Sequence, residues 1–394
     1  MNQNQYEVIV IGLGAMGSAA AYHLAAKGWR VLGLDRYHPP HQFGSSHGLT
    51  RIIREAYFEH PSYVPLVQQA YKLWDALEKQ SGQSLLIQTG GLMVGLPDGV
   101  IVRGARRSAE EHKLPYQVLS SAELRRRFPI LAPEDNMVAV WEPRAGILFP
   151  ERAIQAHLDL AAERGAALKF NEPVLRWEPD GDGVVVHTAA GTYKANRLLL
   201  AAGAWLDGLL RPPSNNPPRN QTFQKPELPL SIERQVQFWF EPRSQAALFQ
   251  PENCPIHIWE HAPHRFFYGF PDLGEGIKVA IHHQGQATDP ENIQREVSDD
   301  EIQTMRLLLR RFLPAAEGIL KSSVVCMYTN TPDENFIIDY HPICRQVLVA
   351  SPCSGHGFKF SCFIGEIACQ LLSDEHPSFD LNLFKINRFS KQGT

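Results

Sequence analysis

A glycine-rich turn near the start of the chain constrains the fold more than any other feature. Within residues 6–35, a short β-branched strand pattern leads into Gly12, Gly14 and Gly17. An alanine-rich helical pattern follows the turn, and a second strand pattern ends at Asp35. Parallel strands need a crossover connection between them, so this order predicts one βαβ unit of a parallel sheet.

The three glycines have separate uses in a nucleotide-binding turn. Gly12 permits the tight turn, Gly14 lets backbone approach a pyrophosphate, and Gly17 allows the helix to pack closely on the strand. The helix N-terminus offers unpaired N–H groups to phosphates, and Asp35 can accept a hydrogen bond from a ribose hydroxyl. A fortuitous glycine turn is the competing interpretation, but here strand, helix, second strand and acid occur in order. The pattern predicts a dinucleotide without a 2′-phosphate and does not separate NAD from FAD.

Composition and charge narrow the classes of function. The 394 residues are 44% hydrophobic and 20% charged, as in an ordinary globular protein. The formal net charge of -4 provides no basic field, so no nucleic-acid partner is expected. The first residues lack the pattern of a secretory signal, and no apolar run is long enough to span a bilayer. We therefore expect a cytoplasmic protein with no membrane partner.

The cysteines form no ligand pattern. Five of the six fall within residues 325–394, and no two form a CxxC pair. The cytosol keeps thiols reduced and no Cys/His group has zinc-ligand spacing, so neither a disulfide framework nor a metal site is predicted. Either all the thiols are inert or one of them is reactive.

The rest of the chain predicts a second layer interleaved with the first. Six prolines within residues 211–230 predict an extended connector. Strand patterns at 234–240 and 265–270 indicate a second sheet, and a strand at 345–351, a glycine turn and a helical run close the chain. The predicted architecture is an interleaved two-domain α/β protein.

Polar clusters occur in three segments. Each cluster has both a functional interpretation and an ordinary structural one. Arg51 and Arg54 are three residues apart, which predicts one side of a helical turn and favours an anion site over a solvated edge. Lys278 and His282 share one face of a strand pattern, where periodicity alone favours a lysine that reaches water and a satisfied sheet histidine. The SGHGFKF turn at 354–360 either joins a strand to a helix or aims a helix N-terminus at an anion.

Four segments together resemble the family of monomeric sarcosine oxidase and its close relatives, the N-methyltryptophan and pipecolate oxidases. They read GLGAMGS, SSHGLTRIIR, CMYTNTPDENFIID and SGHGFKFS, and the resemblance runs from Tyr6 to Asn387. It implies an α/β (α+β) fold in which an FAD-binding, Rossmann-like domain is interleaved with a mostly antiparallel-sheet catalytic domain. The implied bounds are 1–80, 150–210 and 325–394 for the FAD-binding domain and 81–149 and 211–324 for the catalytic domain. The family name also implies a monomer.

The same resemblance implies roles for single residues. Cys326 matches the cysteine that bonds covalently to the 8α-methyl carbon of FAD. Arg54 and Lys359 match the pair that holds the substrate carboxylate, and Lys278 matches the lysine where oxygen is reduced. The other implied residues are catalytic Arg51, His282 and Tyr328, substrate-binding Tyr268, and cofactor-binding Gly12, Gly14, Gly17, Asp35, Ser45, His47, Thr50, Gly355, His356 and Gly357.

The implied reaction oxidises sarcosine or another N-methyl amino acid to an imine, which water hydrolyses to an amine and an aldehyde while oxygen becomes hydrogen peroxide. The turn SPC before SGHGFKF and an extra residue before Tyr268 depart from the family pattern, so substrate identity stays open. The alternatives are an oxidase of N-methyltryptophan, pipecolate or a proline-like amine, a flavin dehydrogenase with a protein partner, and an NAD-dependent dehydrogenase. A flavin-binding protein with a dead site is a further alternative, which the joint presence of Arg54, Lys278, Cys326 and Lys359 disfavours.

Overall fold

The computed structural model of this chain describes residues 5–210, 228–351 and 354–389. Cys353 and most of the predicted proline connector lie outside these ranges. The described α-helices are α1 (Ala15–Ala26), α2 (Tyr63–Ser81), α3 (Val100–Glu111), α4 (Ser121–Arg127), α5 (Pro150–Glu163), α6 (Leu206–Leu209), α7 (Asp299–Phe312) and α8 (Ser361–Leu372). None of these described helices is both long and apolar enough to cross a lipid bilayer.

Within the described ranges, the strands form three sheets. Their bounds in chain order are β1 (Gln5–Ile11), β2 (Val31–Leu34), β3 (Arg51–Ile53), β4 (Leu86–Gln88), β5 (Gly91–Gly95), β6 (Gln117–Ser120), β7 (Val138–Glu142), β8 (Gly146–Leu148), β9 (Ala167–Lys169), β10 (Val174–Asp180), β11 (Gly183–Thr188), β12 (Thr192–Leu200), β13 (Ser231–Phe240), β14 (Ile256–Ala262), β15 (Arg265–Asp272), β16 (Ile277–His282), β17 (Leu320–Asn330), β18 (Ile337–Tyr340) and β19 (Val347–Ser351).

The predicted βαβ unit is the start of a parallel sheet. Strands β1 and β2 pair in parallel, and the parallel part of the sheet has the order β9-β2-β1-β12-β19. Its two faces are both covered, so β1 is apolar on both sides. Val8 and Val10 pack in the core that includes α1 and α8, while Ile9 and Ile11 pack in the core on the opposite face.

A second sheet has the order β17-β13-β16-β15-β14-β5-β7-β6, and its neighbouring strands are antiparallel except β14 and β5. One face packs on α7 through residues such as Met305 and Phe312. Strand alternation and register place Lys278, His282 and Cys326 on the other face. The predicted α/β class, with one Rossmann-like and one mostly antiparallel sheet, is confirmed.

The predicted helical turn at Arg51 and Arg54 is wrong. Arg51 begins strand β3, which pairs antiparallel with β8, and Ile53 is fully buried. Isoleucine is β-branched and favours a strand, and pairing with β8 outweighs the suggestive three-residue spacing. The two guanidinium groups consequently bind different partners, with Arg51 turning to its own loop and Arg54 to Glu59.

Candidate active site

A cavity of about 640 Å³ connects the glycine turn of the first sheet to strand β17 of the second. The predicted site residues that line it are Gly12, Gly14, Asp35, Ser45, Arg51, Tyr328, Gly355 and Gly357. The other predicted residues do not form part of this lining, namely Gly17, His47, Thr50, Arg54, Tyr268, Lys278, His282, Cys326, His356 and Lys359. The lining thus brings Gly12 and Gly357, which are 345 positions apart in sequence, to one cavity.

The glycine turn has the geometry that a close backbone approach requires. Gly12 has a φ of +89°, and a side chain there would also meet the Ala201 carbonyl. A Cβ on Gly17 would collide with the carbonyl oxygen of Gly12, so this position admits only glycine. Gly14 precedes α1, lines the cavity and has open space where a Cβ would be. The N-terminus of α1 can therefore receive an anionic group.

Asp35 follows β2 and connects the glycine turn to the cavity. Its Oδ2 accepts a hydrogen bond from the Leu13 N–H at 2.6 Å, and its Oδ1 accepts one from the Tyr37 N–H at 2.8 Å. The carboxylate is buried yet lines the cavity. It holds the turn in place and retains acceptor capacity for a ribose hydroxyl.

Arg51 organises the loop that precedes it. Its Nη2 donates to the carbonyl oxygens of Ser45 and His47 at 2.6 and 2.7 Å, and its Nη1 donates to that of Thr50 at 2.7 Å. The Glu151 carboxylate accepts from two further N–H groups of the same loop. The loop is thereby fixed from both sides along one wall of the cavity.

Lys278 is buried rather than extended to water. Its Nζ donates to the Gly48 carbonyl at 2.6 Å, the Thr50 carbonyl at 2.9 Å and the Thr50 hydroxyl at 3.1 Å, and it lies over the rings of Trp239 and Phe270. Burial and the Arg51 guanidinium lower its pKa well below the usual value. Three oxygen acceptors match the three N–H bonds of an ammonium group. Among the described residues, no carboxylate pairs with it.

Cys326 differs from the other described cysteines in its hydrogen bonding. Its Sγ accepts a hydrogen bond from Gln237 Nε2 at 3.2 Å, whereas Cys254 and Cys362 donate theirs to backbone carbonyls. Burial raises the pKa of both of those thiols, which marks them as inert. Of these three sulfurs, only that of Cys326 accepts a hydrogen bond, and the next residue, Met327, lines the cavity.

Tyr268, His282 and Tyr328 form a neutral wall on the same sheet face. His282 Nδ1 and the Tyr328 hydroxyl are 3.2 Å apart, and the Tyr268 ring lies edge-on to the His282 ring. Burial raises the pKa of Tyr268 to about 12 and lowers the pKa of His282 well below its usual value. All three groups are therefore uncharged near neutral pH.

Arg54 is a buried cation with a carboxylate already in its fork. Its Nη2 contacts both oxygens of Glu59 at 2.6 Å, and its Nη1 donates to the Ala56 carbonyl at 3.2 Å. The guanidinium lies over the rings of Tyr57 and Phe58, 4.3 Å from each centroid. Sequence reasoning missed Glu59, although it follows Arg54 by only five positions.

Lys359 lies over the same Tyr57 ring as Arg54. Its Nζ donates to the His356 carbonyl at 2.7 Å, and burial together with the nearby Arg54 charge lowers its pKa to about 7. The His356 ring itself contacts the Tyr57 hydroxyl and the Glu334 carbonyl. The preceding Gly355 has no room for a side chain, since a Cβ would meet Tyr328 and His282. The turn at 354–357 thus links the cation pair to the neutral wall.

Glu142 is a second residue that sequence reasoning missed. It ends β7 and is almost fully buried, and its two oxygens accept the N–H groups of Glu55 and Ala56 at 2.6 and 2.8 Å. These N–H groups directly follow Arg54, so Glu142 fixes the backbone that carries the guanidinium. No local pattern reports this contact, because the two segments are 86 or more positions apart.

Sequence relatives cover nearly the whole chain. Residues 7–371 match the family model described as FAD dependent oxidoreductase. The chain is 45% identical to the monomeric sarcosine oxidase of Streptomyces avermitilis over 389 residues, which is 98% of each protein. It is 35% identical over 387 residues to the N-methyl-L-tryptophan oxidase of Yersinia pestis, covering 98% of this chain and 99% of the relative.

Two solved structures share the fold at low identity. NikD, an unusual amino acid oxidase essential for nikkomycin biosynthesis, has a TM-score of 0.82 and 23% identity over 97% of this chain and 98% of its own. L-proline dehydrogenase from P. horikoshii has a TM-score of 0.82 and 22% identity over 98% of both chains. These two likenesses bear on the fold alone.

Proposed function

The chain belongs to the family of FAD dependent oxidoreductases, and we propose that it oxidises a small secondary amino acid, sarcosine or another N-methyl amino acid. The products are an imine, which water hydrolyses to an amine and an aldehyde, and hydrogen peroxide from oxygen. One observation carries this proposal: two buried cations, Arg54 and Lys359, share the Tyr57 ring beside a wall of neutral groups. The cations suit a carboxylate, and the wall suits an amine.

The residues present fit FAD. The glycine turn, the start of α1 and Asp35 suit its pyrophosphate and ribose. The buried polar atoms that lack partners among the described residues include Thr329 Oγ1, on a residue that lines the cavity, and His47 Nε2, in the loop that Arg51 organises. Such atoms call for a polar ligand. When bound, FAD would take up the two electrons that the substrate loses as its C–N single bond becomes a C=N double bond, and would pass them to oxygen.

We propose that FAD contacts the residues that the sequence resemblance implies, with a changed role for His356. The cofactor set is Gly12, Gly14, Gly17, Asp35, Ser45, His47, Thr50, Cys326, Gly355 and Gly357. The His356 ring is engaged with Tyr57 and Glu334, so its contribution is the backbone carbonyl that holds Lys359. Cys326 carries FAD covalently in this proposal, supported by the donor aimed at its sulfur and by its place beside the cavity lining.

Arg54 and Lys359 hold the substrate carboxylate. Arg54 Nη2 already donates to both oxygens of Glu59 at 2.6 Å, so the guanidinium is oriented toward a carboxylate. A substrate carboxylate takes the place of Glu59 or binds beside it, and Lys359 supplies the second positive charge. Glu142 keeps the Arg54 backbone in position while this exchange occurs.

Tyr268, His282 and Tyr328 enclose the substrate nitrogen. The amine reacts in its neutral form, and a wall without fixed charge does not hold the ammonium form through an ion pair. Burial keeps the pKa of His282 well below its usual value, so its imidazole is neutral and can accept a hydrogen bond from the amine. The three side chains exclude water and orient the C–N bond, and orientation of this kind is a large part of catalysis.

Arg51 and the ammonium form of Lys278 provide the positive charge where oxygen is reduced; burial lowers the pKa of Lys278, but its three oxygen acceptors favour the ammonium form. The first electron that oxygen accepts creates an anion, and a fixed cation in a dry site stabilises it. The three acceptors around Lys278 Nζ hold the group in place, so no reorganisation is needed when the charge develops. This arrangement supports oxygen, rather than a protein, as the electron acceptor.

The domain boundaries, the cellular location and the oligomeric state of the protein stay proposals. We propose FAD-binding segments 1–80, 150–210 and 325–394 and catalytic segments 81–149 and 211–324. Strand β17 pairs with β13 of the second sheet, so we propose that the last FAD-binding segment begins after Asn330 and not at residue 325. A cytoplasmic monomer is proposed from charge and family.

Anaerobic titration of the purified flavoprotein tests the reaction. Sarcosine, N-methyltryptophan, pipecolate and proline are added separately, and visible flavin absorbance is followed. We expect sarcosine to bleach the flavin at the lowest concentration, because Arg54 and Lys359 select a carboxylate and the buried wall favours a small amine. Preference for a larger amine would move the function to a sister oxidase, and no bleaching by any of the four would contradict the proposal.

The affinity for a carboxylate ligand is expected to depend on pH through Lys359. Its pKa is lowered to about 7, so it is charged below that pH and neutral above it. The dissociation constant of acetate, measured by calorimetry, should be flat below about pH 7 and rise by up to about tenfold per pH unit above it. Lys359→Met should bind acetate more weakly and without this rise; a variant that retains the wild-type pH dependence would assign the titration to another group.

A further inference from the structure

One buried amide contacts the sulfur of Cys326. Gln237 Nε2 lies 3.2 Å from Sγ, and the two residues are 2% and 1% exposed. We propose that Gln237 is a positioning residue for the covalent attachment of FAD, which aims the Cys326 sulfur and stabilises negative charge on it. This inference rests on the proposed covalent bond and goes beyond it by assigning a second residue to its formation.

The direction of the hydrogen bond follows from chemistry. The Nε2 group of a glutamine donates and has no lone pair to offer, so the sulfur must accept. A donor stabilises a sulfur that carries negative charge more than a neutral thiol. Cys254 and Cys362 have the opposite arrangement, with their S–H groups directed at carbonyl oxygens. Of these three cysteines, only Cys326 therefore has a donor that favours the negatively charged, nucleophilic form of its sulfur.

The Gln237 side chain packs closely against the loop that contains Gly48. A Cβ on Gly48 would overlap Gln237 Oε1, and Gly48 has a φ of +98°, so the close approach requires glycine. The Gly48 carbonyl in turn accepts from Lys278 Nζ. Gln237 thus lies between the loop that binds Lys278 and the strand that carries Cys326.

The strand register determines the sheet face on which the Gln237 side chain lies. It also identifies Gln235 as a matched control residue. On β13, Gln237 pairs with Val324 and Gln235 pairs with Cys326, so both glutamine side chains project from the face that carries the cysteine. Gln235 is also buried, but its Nε2 has no partner among the described residues. Gln235 shares the burial and chemistry of Gln237 without donating to the sulfur.

Attachment forms one C–S bond and removes two hydrogens. Cys326 Sγ loses its proton and bonds to the methyl carbon of the flavin ring, which loses one hydrogen. The two electrons remain on the cofactor until oxygen, the oxidant of the proposed reaction, takes them with two protons as hydrogen peroxide. Gln237 acts before the bond forms, because its donor acts on the free sulfur.

The test follows attachment itself instead of turnover. Protein produced without flavin is mixed with FAD in air, and acid-stable flavin is measured over time by fluorescence in a denaturing gel. We expect Gln237→Leu to slow attachment roughly tenfold to hundredfold, the range for losing one hydrogen bond to a charged group. Gln237→Asn should do the same, since its amide is one methylene too short to reach Sγ. Gln235→Leu should stay within about twofold of wild type.

Separate measurements of attachment rate and FAD affinity distinguish positioning from general damage. In both Gln237 variants the attachment rate at saturating FAD should fall, while the dissociation constant for non-covalent FAD should stay within about twofold of wild type. Attachment at the wild-type rate in either variant would overturn the inference alone. Wild-type protein without acid-stable flavin would overturn the covalent bond and this inference together.

Discussion

Replacing Cys326 with alanine is expected to leave a protein that binds FAD but loses all of it on acid precipitation. The wild-type pellet should be yellow, because a C–S bond survives denaturation, whereas hydrogen bonds and packing do not. The cavity, the glycine turn and Asp35 are untouched by the change, so non-covalent binding should persist. The measurement is flavin absorbance in the pellet and in the supernatant.

Cys362→Ala is the matched control for this experiment. Cys362 is as buried as Cys326, but its sulfur donates to the Ala70 carbonyl in the packed region around α8. We expect its pellet to stay yellow even if the protein is destabilised by the small cavity left behind. A colourless wild-type pellet from flavin-loaded protein would refute covalent attachment, and loss of colour in both variants would remove its assignment to Cys326.

Replacing Lys278 with methionine is expected to slow reoxidation of the reduced flavin by oxygen about 100- to 1,000-fold, the loss typical of removing one preorganised charge or donor. Reduction by substrate should change far less, because the carboxylate and the amine contact Arg54, Lys359 and the neutral wall in the proposed mode. Methionine has a similar length and can pack against the rings of Trp239 and Phe270.

Stopped-flow kinetics separates the two half-reactions. Flavin reduction is followed with substrate in the absence of oxygen, and reoxidation is followed by mixing the reduced protein with oxygen. Lys321→Met is a suitable control, since Lys321 is an exposed lysine on β17 of the same sheet. Equal slowing of both half-reactions in Lys278→Met would show that the residue supports the site as a whole and has no particular role with oxygen.

Local sequence patterns were sufficient to predict the nucleotide-binding turn. They also predicted which side chains share one face of strand β16. Gly12 and Gly17 need glycine because of backbone contacts within one βαβ unit, and such short-range geometry is encoded in residue spacing. The alternation that grouped Lys278 with His282 is likewise a property of any extended strand, and the register confirms it.

The sequence by itself therefore determined the βαβ unit, the fold class and, through four segments, the family. The tertiary structure decided which charges are buried and what each one meets. Arg51 and Arg54 are three positions apart, yet pairing of β3 with β8 sends them to different partners. Lys278 reaches the Gly48 carbonyl across 230 positions, and Gln237 reaches Cys326 across 89. Contacts of this length depend on how two sheets pack around one cavity, and no periodicity within a single segment can report them.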